Sequence, residues 1–141
     1  MPSPISVSVV IPALNESARI GAAVQSAANQ VHPVSVCVVD GGSADDTVDA
    51  ARQADPDLQV VHTATGRASQ MNAGAEATDG DILVFLHADT TLPPSAFEAV
   101  RGALADKQVI GGCFRTTFAD ADSDGSPFGP IGRAAMRLWQ A

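Results

Sequence analysis

Short apolar segments alternate with helical patterns over most of the chain. Four of these segments predict β-strands, at residues 7–11, 34–39, 58–61 and 82–86. The last one holds five consecutive apolar residues between turn-forming residues, which is typical of a strand buried on both faces. These four segments therefore define the candidate core of the fold.

Helical periodicity fills the first two intervals between the predicted strands. Apolar residues recur at helical spacing in the first interval, at Ile20, Ala23, Val24, Ala27 and Ala28. In the second interval Ser43 and Asp46 resemble the capping box of a helix that continues to about Ala54. Each of the first two strands is therefore predicted to lead into a helix.

Two further helices follow the same alternation. Ala68, Met71 and Ala75 share one face of a predicted third helix. A fourth helix opens after the two prolines at 93 and 94, with apolar residues at Phe97, Val100 and Leu104. Strands separated by helices of this length predict an α/β fold in which helices flank a mostly parallel sheet.

The last part of the chain carries two more apolar patterns. Residues 109–118 predict a strand or part of a hairpin, and a helical stripe is formed by Ile131, Ala135, Leu138 and Trp139. A helix with an aromatic face needs cover, which could come from this domain itself, from a homodimer through this helix, or from further chain beyond residue 141. We expect one of the last two. Residues 1–141 are otherwise predicted to form one domain.

Composition narrows the possible functions. The chain has 141 residues, of which 45% are hydrophobic, and its net charge of −8 argues against nucleic-acid binding, which needs a basic face. No apolar run approaches the roughly 20 residues of a membrane helix. The two cysteines, Cys37 and Cys113, are too few for a disulfide framework or a zinc site and predict buried free thiols. We therefore expect a cytoplasmic protein.

Polar residues cluster where the predicted elements meet one edge of the sheet. Asn15 and Glu16 follow the first strand, Asp40 ends the second, Arg67 precedes the third helix and Asp89 follows the fourth strand. Ligands of open parallel sheets bind outside the carboxyl ends of the strands. Each residue alone is also typical of a helix cap or a turn. Their coincidence at one edge favours a ligand site.

The residue types in these loops indicate the kind of ligand. Asp40 can accept a hydrogen bond from a nucleobase, Asn15 and Glu16 offer groups for base and ribose, and Arg67 suits a phosphate. Asp89 suits a hard divalent cation that also binds substrate phosphates, although it could instead cap the next helix. A nucleotide held with a metal ion is therefore the predicted ligand.

Four ordered motifs make the chain resemble a known family. Residues 8–16 (SVVIPALNE) and 38–47 (VVDGGSADDT) resemble family 2 glycosyltransferases with the GT-A fold. Residues 66–75 (GRASQMNAGA) and 85–90 (FLHADT) resemble one subgroup, the radical-SAM/selenodomain-associated family 2 transferases. The resemblance runs from residue 5 to about residue 118. It implies a GT-A-type Rossmann-like sandwich that binds a nucleotide-diphospho-sugar, most often a UDP-sugar.

The resemblance also implies roles for individual positions. Pro12, Ala13, Asn15 and Glu16 would border the nucleoside. Asp40 would contact the base, and Arg67 with the region of Gln70 and Asn72 would lie near base or phosphates. Asp89 would hold Mn²⁺ or Mg²⁺ as the last residue of the family's Asp-X-Asp motif. The predicted nucleotide-sugar site comprises Pro12, Ala13, Asn15, Glu16, Asp40, Arg67, Gln70, Asn72, His87 and Asp89.

Three features depart from the family pattern. His87 replaces the first Asp of Asp-X-Asp, where its imidazole could be a second metal ligand that suits Mn²⁺, or could orient a sugar or phosphate. Gly41 stands in place of the second Asp of the usual Asp-Asp-Gly-Ser. The catalytic base of such enzymes comes from a later acidic motif in an acceptor-binding half, which we expect beyond residue 141.

The predicted activity is transfer of a sugar from a nucleotide-diphospho-sugar to an acceptor hydroxyl. The metal and Arg67 would stabilise the leaving diphosphate, and an unidentified carboxylate would deprotonate the acceptor. A nucleotide-sugar-binding module without turnover is the alternative. A nucleotidyltransferase would need a glycine-rich basic loop after the first strand, and residues 12–15 do not form one.

Overall fold

The computed structural model describes residues 5–114, 116 and 136–140. The chain forms two compact units, residues 1–94 and residues 95–141. The first unit contains the predicted alternation of strands and helices: β1 (Val7–Ala13), α1 (Ile20–Ala28), β2 (Val34–Asp40), α2 (Thr47–Ala54), β3 (Gln59–His62), α3 (Arg67–Ala77) and β4 (Ile82–Phe85).

The four strands of this unit form one parallel sheet in the order β3-β2-β1-β4. Consecutive parallel strands need a crossover, and the helices between them supply it. The prediction of a mostly parallel sheet flanked by helices is confirmed, and every predicted element of this unit lies within two residues of its expected position, apart from the start of α2.

Helix α3 covers one face of the sheet. Val10, Cys37 and Val39 point to that face, are completely buried and pack with Val61 and with Ala73 of α3. On the opposite face, residues of β1 and β2 with the other orientation are equally buried, and α1 and α2 pack on each other and on β2. The two central strands are therefore shielded from water on both sides, which explains their nearly continuous apolar sequences.

Strand β4 differs from its prediction. Ile82 and Val84 are buried, but Leu83 is 38% and Phe85 is 41% exposed. The prediction of a strand buried on both faces is therefore wrong for the described structure. The physical reason is position, because β4 forms the edge of the sheet while α3 packs on β1, β2 and β3.

Helix α2 also begins differently from its prediction. The expected capping box of Ser43 and Asp46 is wrong, since α2 starts at Thr47 and its N-cap residue, Asp46, makes no side-chain capping hydrogen bond. Ser43 instead accepts a hydrogen bond from the backbone of Asn15, which is 28 residues earlier. Ser43 therefore takes part in a contact between two loops and not in a helix cap.

The second unit contains α4 (Ala96–Leu104), β5 (Val109–Phe114) and β6 (Met136–Gln140). The predictions of α4 and β5 are confirmed, and β5 pairs with β6 in antiparallel orientation. The predicted helical stripe is wrong for Leu138 and Trp139, because their backbone pairs with β5 as a strand. A short apolar run is compatible with the periodicity of a helix and with that of a strand, and here pairing with β5 favours the strand. Ile131, Ala135 and residues 117–118 lie outside the described residues.

Leu138 and Trp139 therefore lie in a strand and not in the helix through which a homodimer was expected, and the homodimer itself stays a prediction. None of the helices in the described residues is long and apolar enough to cross a membrane. Both cysteines are free, as predicted, but only Cys37 is buried, whereas Cys113 is exposed on β5. Burial raises the pKa of the Cys37 thiol, which disfavours the reactive thiolate form.

We predict that Gly74→Ala destabilises the first unit. A Cβ at this position of α3 would lie 2.3 Å from Val10 Cγ1 and 2.9 Å from Val39 Cγ2. Overpacking of this kind costs about 1–3 kcal/mol, against a gain of about 1 kcal/mol in helix propensity. The free energy of unfolding in urea should therefore fall.

Gly21→Ala in α1 is the matched control for this prediction. Its added Cβ meets one backbone oxygen at 3.9 Å, an ordinary contact. The helix propensity gain should then stabilise the protein by up to about 1 kcal/mol. Equal stabilisation by both substitutions would show that α3 does not pack closely on Val10.

Candidate functional site

The loops that follow the four parallel strands meet at one edge of the first unit. Ala13 at the end of β1 is paired with Asp40 at the end of β2, and Asp40 is paired with His62 at the end of β3. Strands β1, β2 and β3 therefore end at the same level of the sheet. As predicted, the carboxyl edge carries the polar loops of the chain.

Hydrogen bonds join the loop after β1 to the loop after β2. The backbone N–H of Asn15 donates to Ser43 Oγ at 2.9 Å, and Asn15 Oδ1 accepts from the N–H of Ala44 at 2.8 Å. Asn15 has a positive φ of 54°, which asparagine tolerates better than most residues. The side chain predicted to border a nucleoside is thus engaged in holding the two loops together.

The next residues extend this link to the start of α2. The backbone N–H of Glu16 donates to Thr47 Oγ1 at 2.9 Å, and that of Ser17 donates to Asp45 Oδ2 at 3.2 Å. Thr47 donates to Asp45 through its hydroxyl and its backbone N–H. These bonds, above all the one from the Thr47 hydroxyl, lower the pKa of Asp45 to about 2.

Asp40 is buried at the end of β2 and points into its own turn. Its carboxylate accepts hydrogen bonds from the backbone N–H groups of Gly42 and Ser43, and His62 Nδ1 lies 3.3 Å from Oδ2. Burial raises the pKa of this carboxyl, but the hydrogen bonds from Ser43, Gly42 and His62 outweigh it, so the pKa lies below its ordinary value. Asp40 does not line the cavity described next.

A cavity of about 250 Å³ opens at this edge, within the first unit. Three loops contribute charged or ionisable side chains to its lining, namely Glu16 after β1, Arg67 at the start of α3, and His87 and Asp89 after β4. The complete lining is Pro12, Ala13, Leu14, Glu16, Thr65, Gly66, Arg67, Gln70, His87, Ala88 and Asp89.

The structure therefore gathers seven of the ten predicted site residues around one cavity. Asn15 and Asp40 lie beside it, with their side chains committed to the loops, and Asn72 is exposed on α3 outside the lining. Gln70 reaches the lining as a buried residue whose amide Nε2 donates to the carbonyl oxygens of Ala13 and Val39.

Four lining residues were not among the predicted ones: Leu14, Thr65, Gly66 and Ala88. Gly66 precedes α3 with a φ of 145°, a conformation that favours glycine, and Thr65 Oγ1 donates to the carbonyl oxygen of Gly41 at 2.7 Å. The glycine before the predicted helix was a signal for this turn. Leu14 and Ala88 offered no signal, because apolar lining residues resemble any other apolar loop residues.

The lining offers a partial set of metal ligands. No group of three or more His, Cys, Asp or Glu side chains placed to hold a metal occurs among the described residues. Asp89 is exposed, and its Oδ1 accepts one hydrogen bond from Thr90. One carboxylate matches an ion that takes its other ligands from substrate phosphates and water, as Mg²⁺ usually does, whereas an added imidazole ligand suits Mn²⁺.

The fold defines a class of protein, and comparisons with known proteins define the family. The parallel sheet with its flanking helices is that of GT-A glycosyltransferases. Residues 8–134 match the family model described as glycosyl transferase family 2. The chain belongs to this family.

One curated relative is the PGL/p-HBAD biosynthesis glycosyltransferase of Mycobacterium bovis. It is 37% identical over an alignment of 91 residues that covers 60% of this chain and 36% of that protein. The chain therefore spans little more than a third of the length of this relative.

Two solved structures are similar in both fold and sequence. A mannosyltransferase from Pyrobaculum calidifontis in complex with GDP-Man and Mn²⁺ has a TM-score of 0.65 and 29% identity, covering 73% of this chain and 33% of that chain. Glucosyl-3-phosphoglycerate synthase from Mycobacterium tuberculosis in complex with Mg²⁺ and UDP has a TM-score of 0.61 and 31% identity, covering 72% of this chain and 40% of that chain.

We predict that the fold loses stability as the pH falls from about 5 towards 2. The folded pKa of Asp45 is about 2, and the pKa of Asp40 is also lowered. The unfolded chain, with Asp pKa values of about 3.9, therefore binds protons first. Stability present above pH 4 to 5 is then lost as the pH passes through the folded pKa values. Urea midpoints measured between pH 2.5 and 6 should show this slope.

Asp45→Asn should flatten this pH dependence, because the substitution removes the carboxyl group whose pKa is lowered to about 2. Asp46→Asn is the control, since its carboxylate accepts no hydrogen bond within the described part of the chain. Identical slopes in the two variants would contradict the role of the link between Asp45 and Thr47.

Proposed function

We propose that this chain is the donor-binding part of a glycosyltransferase and that it binds a nucleotide-diphospho-sugar in the cavity at the carboxyl edge. The observation that carries the proposal is the convergence of Glu16, Arg67, His87 and Asp89 on one cavity from three separate loops. A nucleotide diphosphate combines a flat base with charged oxygens, and this lining combines an apolar wall with charged side chains.

Each part of the lining has a proposed task. Pro12, Ala13 and Leu14 form a wall against which the nucleoside can lie. Arg67 supplies a permanent positive charge for the diphosphate, whose negative charge grows as the bond to the sugar breaks. In this proposal Asp40 does not contact the nucleoside directly, because its carboxylate accepts hydrogen bonds from backbone N–H groups. It contributes to the site by stabilising the turn after β2.

The possible metal ligands after β4 suit a divalent ion that also binds the diphosphate. Asp89, with His87 beside it in the lining, would hold Mn²⁺ or Mg²⁺. When bound, the ion would neutralise charge on the leaving diphosphate. The similar structures support this part, since one contains Mn²⁺ with GDP-Man and another Mg²⁺ with UDP.

Several finer points belong to the same proposal. We favour a UDP-sugar and membership of the radical-SAM/selenodomain-associated subgroup, on the motifs of residues 66–75 and 85–90. We propose that sugar transfer requires an acceptor site in addition to the described residues. No described residue is assigned as the catalytic base. A cytoplasmic location stays a prediction from the sequence.

Calorimetric titration of the 141-residue chain with UDP, with and without Mn²⁺, tests the donor site. We expect binding that weakens at least about tenfold, or 1.4 kcal/mol, without the metal or in Asp89→Asn. GDP should bind more weakly than UDP. Asp79→Asn is the matched control, because Asp79 is an exposed carboxylate in the turn before β4, at the opposite end of that strand.

The possible outcomes separate the alternatives. Metal-dependent UDP binding that Asp89→Asn removes would support the donor site. UDP binding with no hydrolysis or transfer of a UDP-sugar would favour a binding module without turnover. A folded chain that binds neither nucleotide, or one that binds UDP equally well with Asn at position 89, would contradict the proposed site.

A further inference from the structure

Gln70 is a buried polar residue in the first turns of α3, and its side chain extends to the edge of the sheet. It is 5% exposed. Its Nε2 lies 2.8 Å from the carbonyl oxygen of Ala13 and 2.9 Å from that of Val39. An amide nitrogen has two N–H groups, so both are used and the orientation of the amide is determined.

The two carbonyl groups belong to neighbouring strands at the level where these strands separate into loops. Ala13 is the last residue of β1, and Val39 precedes Asp40, the last residue of β2. The carbonyl oxygen of Ala13 also accepts the backbone N–H of Gly41 at 3.0 Å. The Gln70 amide thus adds a link between β1 and β2 beyond their own ladder.

The same residue connects these strand ends to α3. The backbone N–H of Gln70 donates to the carbonyl oxygen of Gly66, and Arg67 lies within that turn. A Cβ on Gly41 would lie 3.0 Å from the Gln70 amide, so the loop after β2 passes directly over this side chain. Parts of the cavity wall from β1 and from α3 therefore meet at Gln70.

We propose that Gln70 is a positioning residue of the donor site. Its amide sets the distance between the wall formed by residues 12–14 and the turn that carries Arg67. This inference rests on the proposed function, because the distance matters for a ligand that contacts both walls. Its N–H groups are directed to the sheet, so its contribution to binding is made through the walls rather than by donating to the nucleotide.

The chain offers a matched control for the chemistry of this side chain. Gln30, which is 9% exposed, also donates through Nε2 to two carbonyl oxygens, those of Ser26 and Pro93. It does not line the cavity. Gln70→Met and Gln30→Met each remove a buried amide of the same kind, and both should lower the free energy of unfolding. Only Gln70→Met should affect the site.

The first measurement is UDP affinity in the presence of Mn²⁺, with the fraction of folded protein checked by circular dichroism. We expect about a tenfold or greater loss of affinity in Gln70→Met, since small displacements of binding groups are costly. Gln30→Met should stay within about twofold of the unsubstituted chain. Unchanged affinity in folded Gln70→Met, or an equal loss in both variants, would overturn the proposal.

Gln70→Glu gives a readout that a general loss of stability would not produce. An ionised carboxylate has no donor for the carbonyl oxygens of Ala13 and Val39, whereas a protonated carboxyl has one. UDP affinity of folded Gln70→Glu should therefore recover as the pH is lowered, relative to the unsubstituted chain. A pH profile parallel to that of the unsubstituted chain would count against the proposal.

Amide hydrogen exchange separates this inference from the proposed function. The N–H of Gly41, bonded to Ala13, should exchange faster in Gln70→Met and not in Gln30→Met, whether or not the chain binds UDP. If the unsubstituted chain binds no nucleotide, the proposed function fails, and this exchange still decides whether Gln70 holds the cavity walls. Equal exchange of Gly41 in both variants would overturn the positioning role.

Discussion

The pairing of β1 with β2 is the interaction on which the rest of the first unit depends. The two strands are in register over seven residues, from Val7 with Val34 to Ala13 with Asp40. Because both strands are buried on both faces, water cannot satisfy their backbone groups, and the ladder must do so. The register then places the loops after β1 and β2 side by side, so that hydrogen bonds between the loops become possible.

The elements of the first unit could be predicted from sequence because their signals are local. Apolar runs and helical spacing act over a few residues, and they determined the order of strands and helices and the edge where the site lies. The position of β4 at the edge of the sheet could not be predicted from local sequence. Leu83 and Phe85 match the composition of a central strand, and their exposure follows from which neighbours the sheet provides.

The candidate site was predictable in its location and in most of its charged residues, but less so in the task of Asp40 and in the tasks of its uncharged residues. Asn15 and Gln70 were predicted to approach a nucleotide, and both use polar atoms to hold the site together. Their partners are 28 to 57 residues away, counting Ser43, Ala44, Val39 and Ala13. A sequence motif indicates that such residues belong to a site. It does not indicate whether their side chains contact the ligand or hold the loops in place.

The charges around the cavity show why a metal ion belongs in the proposed function. The lining contains the guanidinium of Arg67 and two carboxylates, those of Glu16 and Asp89. Arg19 lies 3.7 Å from Glu16, but its side chain is 68% exposed, and exposed pairs of this kind interact weakly. Asp89 accepts a single bond from the neutral hydroxyl of Thr90.

A diphosphate entering this cavity would therefore meet more negative charge than positive charge. In the proposed function, a divalent cation at Asp89 would add two positive charges and so reverse that balance, close to the charge that develops on the diphosphate. The excess of carboxylates in the lining, which would oppose binding of the nucleotide alone, thus becomes the reason that nucleotide and metal are expected to bind together.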